Sequence, residues 1–236
     1  MRIEQPILSG EFRRRYKRFL ADVLMENGEI LTVHCPNSGA MTGCAIPGAR
    51  AYISDSQNPK RKLRYTLEVI ETDTASICVN THRANGLVEE AIRAGLIPEL
   101  SGFTTIQQEV RYGSERSRID LLLKMPSHDC YVEVKNVTLD GENGVVAFPD
   151  AVTKRGTKHI RELISMVESG HRAALVYCVA RTDAVAVRPA HEIDPFYAET
   201  LEMGIKRGVE VYALRIDINM PSFRLVERLP VIRDCH

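Results

Sequence analysis

Two carboxylates and a lysine interrupt an otherwise apolar pair of strand-like segments. The segments, RIDLLLKM and CYVEVKNVTL, are joined by a turn that contains a Pro-Ser dipeptide. An antiparallel hairpin centred on that dipeptide places Asp120 opposite Glu133, with their side chains roughly 5 Å apart. Lys135 lies two residues along and shares the same face of the hairpin. This face could bind a cation or take part in proton transfer.

Two opposed carboxylates repel each other by about 3 kcal/mol at an effective dielectric constant near 20. A cation is therefore expected between them, and removing either charge should leave the metal-free protein at least as stable. One candidate is Lys135 itself, within a solvated charge cluster. The other is a divalent metal such as Mg²⁺, which one or two carboxylates hold together with water and substrate phosphate. Spacing alone favours the lysine cluster, because short D…ExK strings recur by chance.

The composition is typical of a globular protein that works in the cytoplasm. The chain has 236 residues, 44% of them hydrophobic, and no run of 18 apolar residues that would span a membrane. The N-terminus lacks the apolar stretch and cleavage site of a secretion signal. Six scattered cysteines without a CxxC motif favour free, mostly buried thiols. We expect a cytoplasmic location, association with the nucleoid included.

Basic residues form three local clusters in a chain whose net charge is zero. Each cluster alone is typical of a solvated surface, but three on one side would suit contacts with a phosphate backbone. The side chains predicted to contact DNA are Arg13, Arg15, Lys17, Arg18, Lys60, Arg61, Lys62, Lys154, Arg155 and Lys158.

The periodicity of the hydrophobic residues changes near residue 84. Residues 12–80 contain five strand-like runs between turns, which is typical of an OB-like barrel: RYKRFLADVLM, EILTVHCP, ARAYISDS, RYTLEVIET and ASICVNT. From residue 84 the pattern predicts the order α-β-β-β-α-β-α-β, with Asp194 capping the last helix. This order predicts a mixed α/β fold. We expect an OB-like nucleic-acid-binding domain at 1–82 and a second domain at 83–236.

The second domain resembles the PD-(D/E)xK nuclease core, with Asp120 on its second strand and Glu133-Val134-Lys135 on its third. One departure is that Ile119 replaces the proline of that motif. Nearly the whole chain resembles the sugar fermentation stimulation protein family of bacterial DNA-binding proteins. The stretches that carry this resemblance are HCPNSGAMTGC, VNTHRAN, RYGSERSRID, YVEVKNVTL and FPDAVTKRGTKHIREL. The resemblance implies an OB-like domain, a restriction-endonuclease-like domain with a mixed sheet, and DNA binding with little sequence preference.

The nuclease resemblance also implies roles for individual residues. Asp120, Glu133 and the main-chain carbonyl of Val134 would hold Mg²⁺ or Mn²⁺, and Lys135 would position or deprotonate the attacking water. Glu90, on the preceding helix, is the choice for a further catalytic carboxylate. The alternative for Glu89 and Glu90 is an exposed helix face paired with Arg93. The helix that begins near Lys154 would direct its N-terminus and basic side chains toward the scissile strand.

The segment HCPNSGAMTGC lacks a recognisable zinc spacing. It is more typical of a loop whose residues Asn37, Ser38 and Gly39 expose backbone to a ligand or to the second domain. Two functions remain open, together with a protein-interaction scaffold as a third. The first is a metal-dependent nuclease acting on DNA, with RNA also open. The alternative is a non-enzymatic DNA-binding regulator of sugar metabolism that retains a silent nuclease fold. No oligomeric state is predicted.

Overall fold

The structure, a computed structural model, describes residues 1–113 and 117–233. The N-terminal part is a barrel of five strands with a sixth beside it. Strand β1 pairs with β2 and β4, β2 with β3, and β4 with β5, all antiparallel. A parallel contact between His34 and Thr66 closes the barrel, and β6 lies along β5. The strands are β1 (Ile7–Tyr16), β2 (Leu20–Leu24), β3 (Ile30–His34), β4 (Arg50–Asp55), β5 (Tyr65–Glu71) and β6 (Ser76–Cys78). The predicted OB-like barrel is confirmed.

The first predicted strand is wrong in detail. The run RYKRFLADVLM is not one strand but the end of β1, a tight turn and the whole of β2. Lys17 and Arg18 form this turn with φ angles of 46° and 63°. Positive φ is uncommon for residues with a side chain, and turns that need it normally carry Gly, Asn or Asp. A run of basic residues therefore gave no signal for the turn.

The C-terminal part is a six-stranded mixed sheet with helices on both faces, as predicted. The sheet order is β14-β13-β11-β9-β8-β7, in which β9, β11 and β13 are parallel neighbours. The elements are α1 (Ala84–Arg93), β7 (Thr105–Tyr112), β8 (Ser117–Lys124), β9 (Cys130–Val137), β10 (Val145–Phe148), α2 (Lys154–Glu168), β11 (Arg172–Val179), β12 (Ala186–Pro189), α3 (Pro195–Lys206), β13 (Glu210–Asn219) and β14 (Ser222–Arg228). Strands β10 and β12, which pair with each other, and β14 were not predicted.

Helix positions follow from their apolar faces and their caps. Helix α1 packs its buried residues on one face of the sheet, and α2 and α3 cover the other face. Thr153 caps α2 by accepting a hydrogen bond from the N–H of Gly156, and Asp194 caps α3 as predicted. These caps fix the N-terminal turn of α2, which begins with Lys154.

The first three residues of the chain lie against the second sheet. Ile3 is buried in the core beneath α1, and its N–H donates to the carbonyl of Pro221 at 2.9 Å. The N–H of Phe223 donates to the carbonyl of Met1 at 2.8 Å. We propose the division at residues 82 and 83, which falls within the 3-10 turn Thr81–Arg83, with residues 1–3 packed on the second domain.

Two expectations about the whole chain concern its helices and its thiols. No helix in the described part of the chain is long and apolar enough to cross a membrane. The five cysteines within residues 1–113 and 117–233 are buried free thiols, as predicted. Cys235 lies outside the described residues, as do residues 114–116 of the RYGSERSRID stretch.

Candidate active site

The hairpin of β8 and β9 has the predicted register. Leu121 pairs with Val132 and Leu123 with Cys130, so the same register carries Asp120 toward Glu133. Strand pairing stops one residue short of the two carboxylates. Instead, the N–H of Val134 donates to Oδ2 of Asp120 at 2.7 Å. This bond holds the aspartate against the strand that carries the glutamate.

Asp120 is also held by the helix above it. The Nδ2 amide of Asn85, in the first turn of α1, donates to Oδ1 of Asp120 at 3.0 Å. Burial and, after it, the negative charge of Glu133 raise the pKa of Asp120 to about 6, against the opposing effect of these hydrogen bonds and of Lys135. The charge of Glu133 therefore adds to burial in disfavouring ionisation of Asp120.

Glu133 is the most buried acid of the cluster and carries two partners on one oxygen. Lys135 Nζ donates to Oε1 at 2.6 Å, and Nδ1 of His159 is bonded to the same oxygen. Burial alone would raise the pKa of Glu133, but Lys135 and His159 outweigh it and lower the pKa below its usual value. The other oxygen, Oε2, is buried and has no hydrogen-bond partner among the described residues.

His159 is a member of this cluster that the sequence analysis missed. Its Nδ1 meets Glu133, and its Nε2 accepts from Nε of Arg155 at 3.4 Å. A proton on Nδ1 lets this nitrogen donate to Glu133 while Nε2 accepts from Arg155. A signal was present, because His159 falls at helical spacing with Ile160 and Leu163 on the buried stripe of α2. A histidine on an apolar stripe needs a polar partner in the core.

The cluster combines an ion pair with one buried carboxylate oxygen that has no hydrogen bond. Lys135 satisfies Oε1 of Glu133 but leaves Oε2 buried without a partner. No group of three or more His, Cys, Asp or Glu side chains within the described residues is arranged to hold a metal. Asp120 and Glu133 would thus be the two protein carboxylates, and Mg²⁺ is often held by one or two carboxylates with water and phosphate oxygens.

The carboxylates face a cavity of about 430 Å³ between the barrel and the α/β domain. This "site cavity" is lined by Asp120, Glu133 and Lys135, by residues 148–153 and by Arg155. Asn37, Ser38 and Gly39 of the barrel complete the wall. The site cavity is large enough for several water molecules and a phosphate group beside the carboxylates.

The barrel loop that reaches the site cavity is fixed from both sides. The N–H of Ala40 donates to Oδ2 of Asp150 at 2.7 Å, and any side chain at Gly39 would clash with that carboxylate. Asn37 Nδ2 donates to the carbonyl of Val79 at 3.2 Å, and its Oδ1 accepts from the N–H of Gly39 at 2.8 Å. The prediction that this loop meets the second domain is confirmed.

Arg15 supports this loop from within the barrel. Its guanidinium donates to the carbonyl oxygens of Asn37 at 2.7 Å, Gly39 at 2.8 Å and Arg18 at 2.8 Å. A guanidinium has five N–H donors, and most of those of Arg15 are taken by these carbonyls. The structure therefore places Arg15 as a brace of the loop at residues 37–40, which differs from its predicted contact with DNA.

Glu90 does not reach the carboxylates, so the structure does not support it as the further catalytic acid. Its side chain is exposed and pairs with the N-terminal amino group at 2.6 Å. Glu89 pairs with Arg93 at 2.7 Å, which is the alternative that the sequence left open for this helix face. Asn85, one turn earlier than Glu89, is the α1 side chain that contacts Asp120.

The other predicted DNA contacts are spread over several exposed surfaces. Lys154 and Arg155 begin α2, and Arg155 lines the site cavity. Arg13 is paired with Glu11, and Arg61 Nη2 lies 3.3 Å from Oγ1 of Thr66. The lysines at positions 17, 60 and 62 and Arg18 are exposed, and Lys158 is half-buried. The turn at Lys17 and Arg18 touches the loop at residues 37–40 through Arg15.

Comparison with known proteins agrees with this architecture. The family profile "SfsA N-terminal OB domain" matches residues 14–79, and "Sugar fermentation stimulation protein RE domain" matches residues 82–222. Sugar fermentation stimulation protein homologs from Teredinibacter turnerae and Geobacter metallireducens are 52% and 51% identical, over 98% of this chain and 100% of each relative. Pyrococcus furiosus SfsA, solved in complex with Ca²⁺, superposes with a TM-score of 0.87 at 29% identity over 98% of both chains. The chain belongs to the sugar fermentation stimulation protein family and combines an OB barrel with a restriction-endonuclease-like domain.

Proposed function

We propose that this protein is a nuclease that depends on a divalent cation and cleaves DNA with little sequence preference. The observation that carries the proposal is the pair Asp120 and Glu133 beside Lys135 in the site cavity, with Oε2 of Glu133 buried and unbonded. A relative with the same fold, from Pyrococcus furiosus, was solved with Ca²⁺, a hard cation that takes oxygen ligands. This agrees with a cation between the two carboxylates.

Mg²⁺ or Mn²⁺ held by Asp120, Glu133 and the carbonyl of Val134 would lower the pKa of a bound water and neutralise charge on the phosphate oxygens. His159 is a positioning residue, because it is bonded to Oε1 of Glu133 and leaves Oε2 without a hydrogen bond. One N–H of the Lys135 ammonium is directed to Glu133. The remaining donors of Lys135 are available to orient the attacking water or a phosphate oxygen.

The N-terminus of α2 would bind the substrate phosphate. Its free N–H groups and dipole attract anions, and Arg155 in its first turn lines the site cavity. Across the cavity, the barrel presents the loop at residues 37–39, and Arg15 links that loop to the basic turn at Lys17 and Arg18. OB folds bind single strands through the backbone with little sequence preference. DNA would therefore lie between the two domains.

A second candidate function is a DNA-binding regulator that does not cleave. One observation favours it: within residues 1–113 and 117–233 no third acidic side chain joins the carboxylate pair, and Glu90 is paired elsewhere. Both functions share the same DNA-binding surface. They differ only in whether the carboxylates act on the phosphate.

The deciding experiment is a cleavage assay with purified protein, using single- and double-stranded DNA with Mg²⁺, Mn²⁺ or EDTA. We expect cleavage with the metals that is lost in EDTA and in the variants Asp120→Asn and Glu133→Gln, while DNA binding is largely kept. Glu168→Gln is the matched control, because that glutamate is exposed and pairs with Arg207 at the far end of α2. Retained cleavage in both site variants, or no Mg²⁺ or Mn²⁺ uptake by calorimetry with DNA present, would contradict the nuclease proposal.

A further inference from the structure

A second cavity, of about 360 Å³, lies on the barrel beside the 3-10 turn Thr81–Arg83. We call it the barrel pocket. Its walls carry His34 from β3, Arg61 from the loop between β4 and β5, and His82 and Arg83 from the 3-10 turn. Glu68, the acid in this wall, is 1% exposed. The barrel pocket thus combines four basic side chains with one buried acid.

Glu68 is fully occupied and cannot balance all of these basic groups. Its Oε1 accepts from Oγ of Ser54 at 2.7 Å and from Nη2 of Arg83 at 2.8 Å. Its Oε2 accepts from Nδ2 of Asn80 at 2.8 Å and from Nε of Arg83 at 3.1 Å. The bidentate pair with Arg83 neutralises the glutamate. His34, Arg61 and His82 are left as basic groups without that counter-charge.

These three basic groups act on one another across the cavity. Burial lowers the pKa of His34, and the nearby positive charges of Arg61 and His82 lower it further. Groups of like charge around a cavity destabilise each other unless an anion lies among them. Arg61, joined by His34 and His82 whenever they carry a proton, gives the barrel pocket positive charge, and its volume admits an anionic group such as a phosphate.

The barrel pocket and the site cavity share one wall. Thr81 lines the site cavity, and the next two residues, His82 and Arg83, line the barrel pocket. Asn80 fixes this wall, since its Oδ1 accepts from the N–H of His82 at 3.1 Å while its amide binds Glu68. A ligand that fills both places must carry anionic groups in series, as a nucleic-acid strand does.

We propose that the barrel pocket binds a backbone phosphate of the same nucleic-acid strand whose scissile phosphate lies in the site cavity. The strand would cross the 3-10 turn between the two cavities. The barrel would thereby set which phosphate reaches Asp120 and Glu133. This inference rests on the proposed function for the nature of the ligand.

The test uses the full chain with Asp120→Asn, so that DNA is bound without being cut. Arg61→Gln and His82→Gln are added to it singly, because both side chains are exposed and neither holds Glu68. Binding is measured by fluorescence anisotropy with oligothymidines of about 4 to 16 nucleotides, the range of site sizes of OB folds. We expect weaker binding of the long oligomers by each variant and unchanged binding of the shortest. The slope of log affinity against log salt should become shallower by about 0.7 for each lost contact.

Lys206→Gln is the matched control. Lys206 is an exposed lysine next to Arg207, whose guanidinium pairs with Glu168 at the far end of α2. It should change neither affinity nor slope. Equal losses for long and short oligomers in the Arg61 and His82 variants, or no loss at all, would overturn the inference. The imidazole NMR signals of His34 and His82 provide a further check. If inorganic phosphate shifts these signals to saturation and oligothymidine leaves them unaltered, the barrel pocket is a site for small anions and the inference is overturned.

The two proposals fail in distinguishable ways. If the wild-type protein cleaves DNA and the Arg61 and His82 variants bind oligomers of every length normally, the barrel-pocket proposal is refuted and the nuclease proposal stands. If the wild-type protein does not cleave DNA and those variants lose binding affinity in a length-dependent way, the nuclease proposal is refuted and the barrel pocket stands as a phosphate site.

Discussion

The N–H of Val134 donates to Oδ2 of Asp120 at 2.7 Å, so the strand that carries Glu133 also holds the opposing carboxylate in place. With Asn85 on its other oxygen, Asp120 has a fixed position before any ligand arrives. Fixed ligands need little reorganisation when a cation or a substrate binds. The fixed position of Asp120 also keeps two carboxylates buried side by side.

Asp120→Asn should stabilise the metal-free protein relative to wild type as the pH rises. The folded-state pKa of Asp120, about 6, is above its ordinary value, so the folded wild type loses stability as pH rises from about 4 to 6. Asparagine does not titrate. The difference in unfolding free energy should therefore shift by about 3 kcal/mol in favour of the variant between pH 4 and pH 7.

Urea unfolding in EDTA at several pH values measures this shift. Asp217→Asn, on an exposed part of β13, controls for the general effect of losing a carboxylate. A constant difference between wild type and Asp120→Asn across the pH range would show that Asp120 is not held in an unfavourable charged state.

Glu133→Gln should instead destabilise the protein, although sequence reasoning predicts that loss of either carboxylate is harmless. Lys135 is only 11% exposed and has Glu133 as its ion-pair partner. Removing one member of a buried pair leaves an uncompensated charge, which costs about 3 kcal/mol. The double variant Glu133→Gln with Lys135→Met should recover much of the loss, because neither charge remains.

Chemical denaturation of the single and double variants checks this coupling. Glu192→Gln, in an exposed pair with Arg188, should change stability by less than about 1 kcal/mol. If the double variant is no more stable than Glu133→Gln alone, the loss of the ion pair with Lys135 is not the reason that Glu133→Gln destabilises the protein.

Arg15→Lys should loosen the loop at residues 37–40 without changing the salt dependence of DNA binding. Lysine keeps the positive charge but cannot donate to three carbonyl groups in fixed directions. We expect a loss of about 2 kcal/mol in unfolding free energy. Hydrogen exchange should show faster exchange at Gly39 and Ala40. Normal stability with weaker DNA binding would instead show that Arg15 contacts phosphate.

Lys17→Gln and Arg18→Gln should weaken DNA binding uniformly across sequences. Both side chains are exposed on the turn that Arg15 links to the loop at residues 37–40, and they make no hydrogen bond or ion pair within the described ranges 1–113 and 117–233. Each lost phosphate contact should reduce the salt slope for duplex DNA by about 0.9. Arg224→Gln, which removes an exposed arginine paired with Asp217, should leave the slope unchanged. A loss confined to one DNA sequence would contradict backbone binding.

Local rules predicted much of the domain that carries the site. The turn position fixed the register of β8 and β9 and brought Asp120 toward Glu133, and the cap at Asp194 followed from its Asp-Pro pair. These features depend on residues close together in the chain. A short strand such as β10 gave no comparable signal, because the strand with which all four of its residues pair, β12, is distant in the chain.

The remaining parts of the site depend on how elements pack. The sequence places acids on α1, but the rotation of that helix over the sheet decides that Asn85 meets Asp120 and that Glu90 does not. Two partners of Arg15, Asn37 and Gly39, lie more than twenty residues away, in a loop whose path follows from its contact with Asp150. The residue type identifies Arg15 as basic but does not distinguish a side chain that supports a loop from one that contacts phosphate.

The packing of residues 1–3 against Pro221 and Phe223 has a consequence for synthesis on the ribosome. The barrel strands emerge early and can pair with one another, since all of them lie within the first 78 residues. Ile3 meets its partners only when the segment near residue 221 has left the exit tunnel. Residues 1–3 are thus buried after the barrel strands that follow them, when the α/β domain folds.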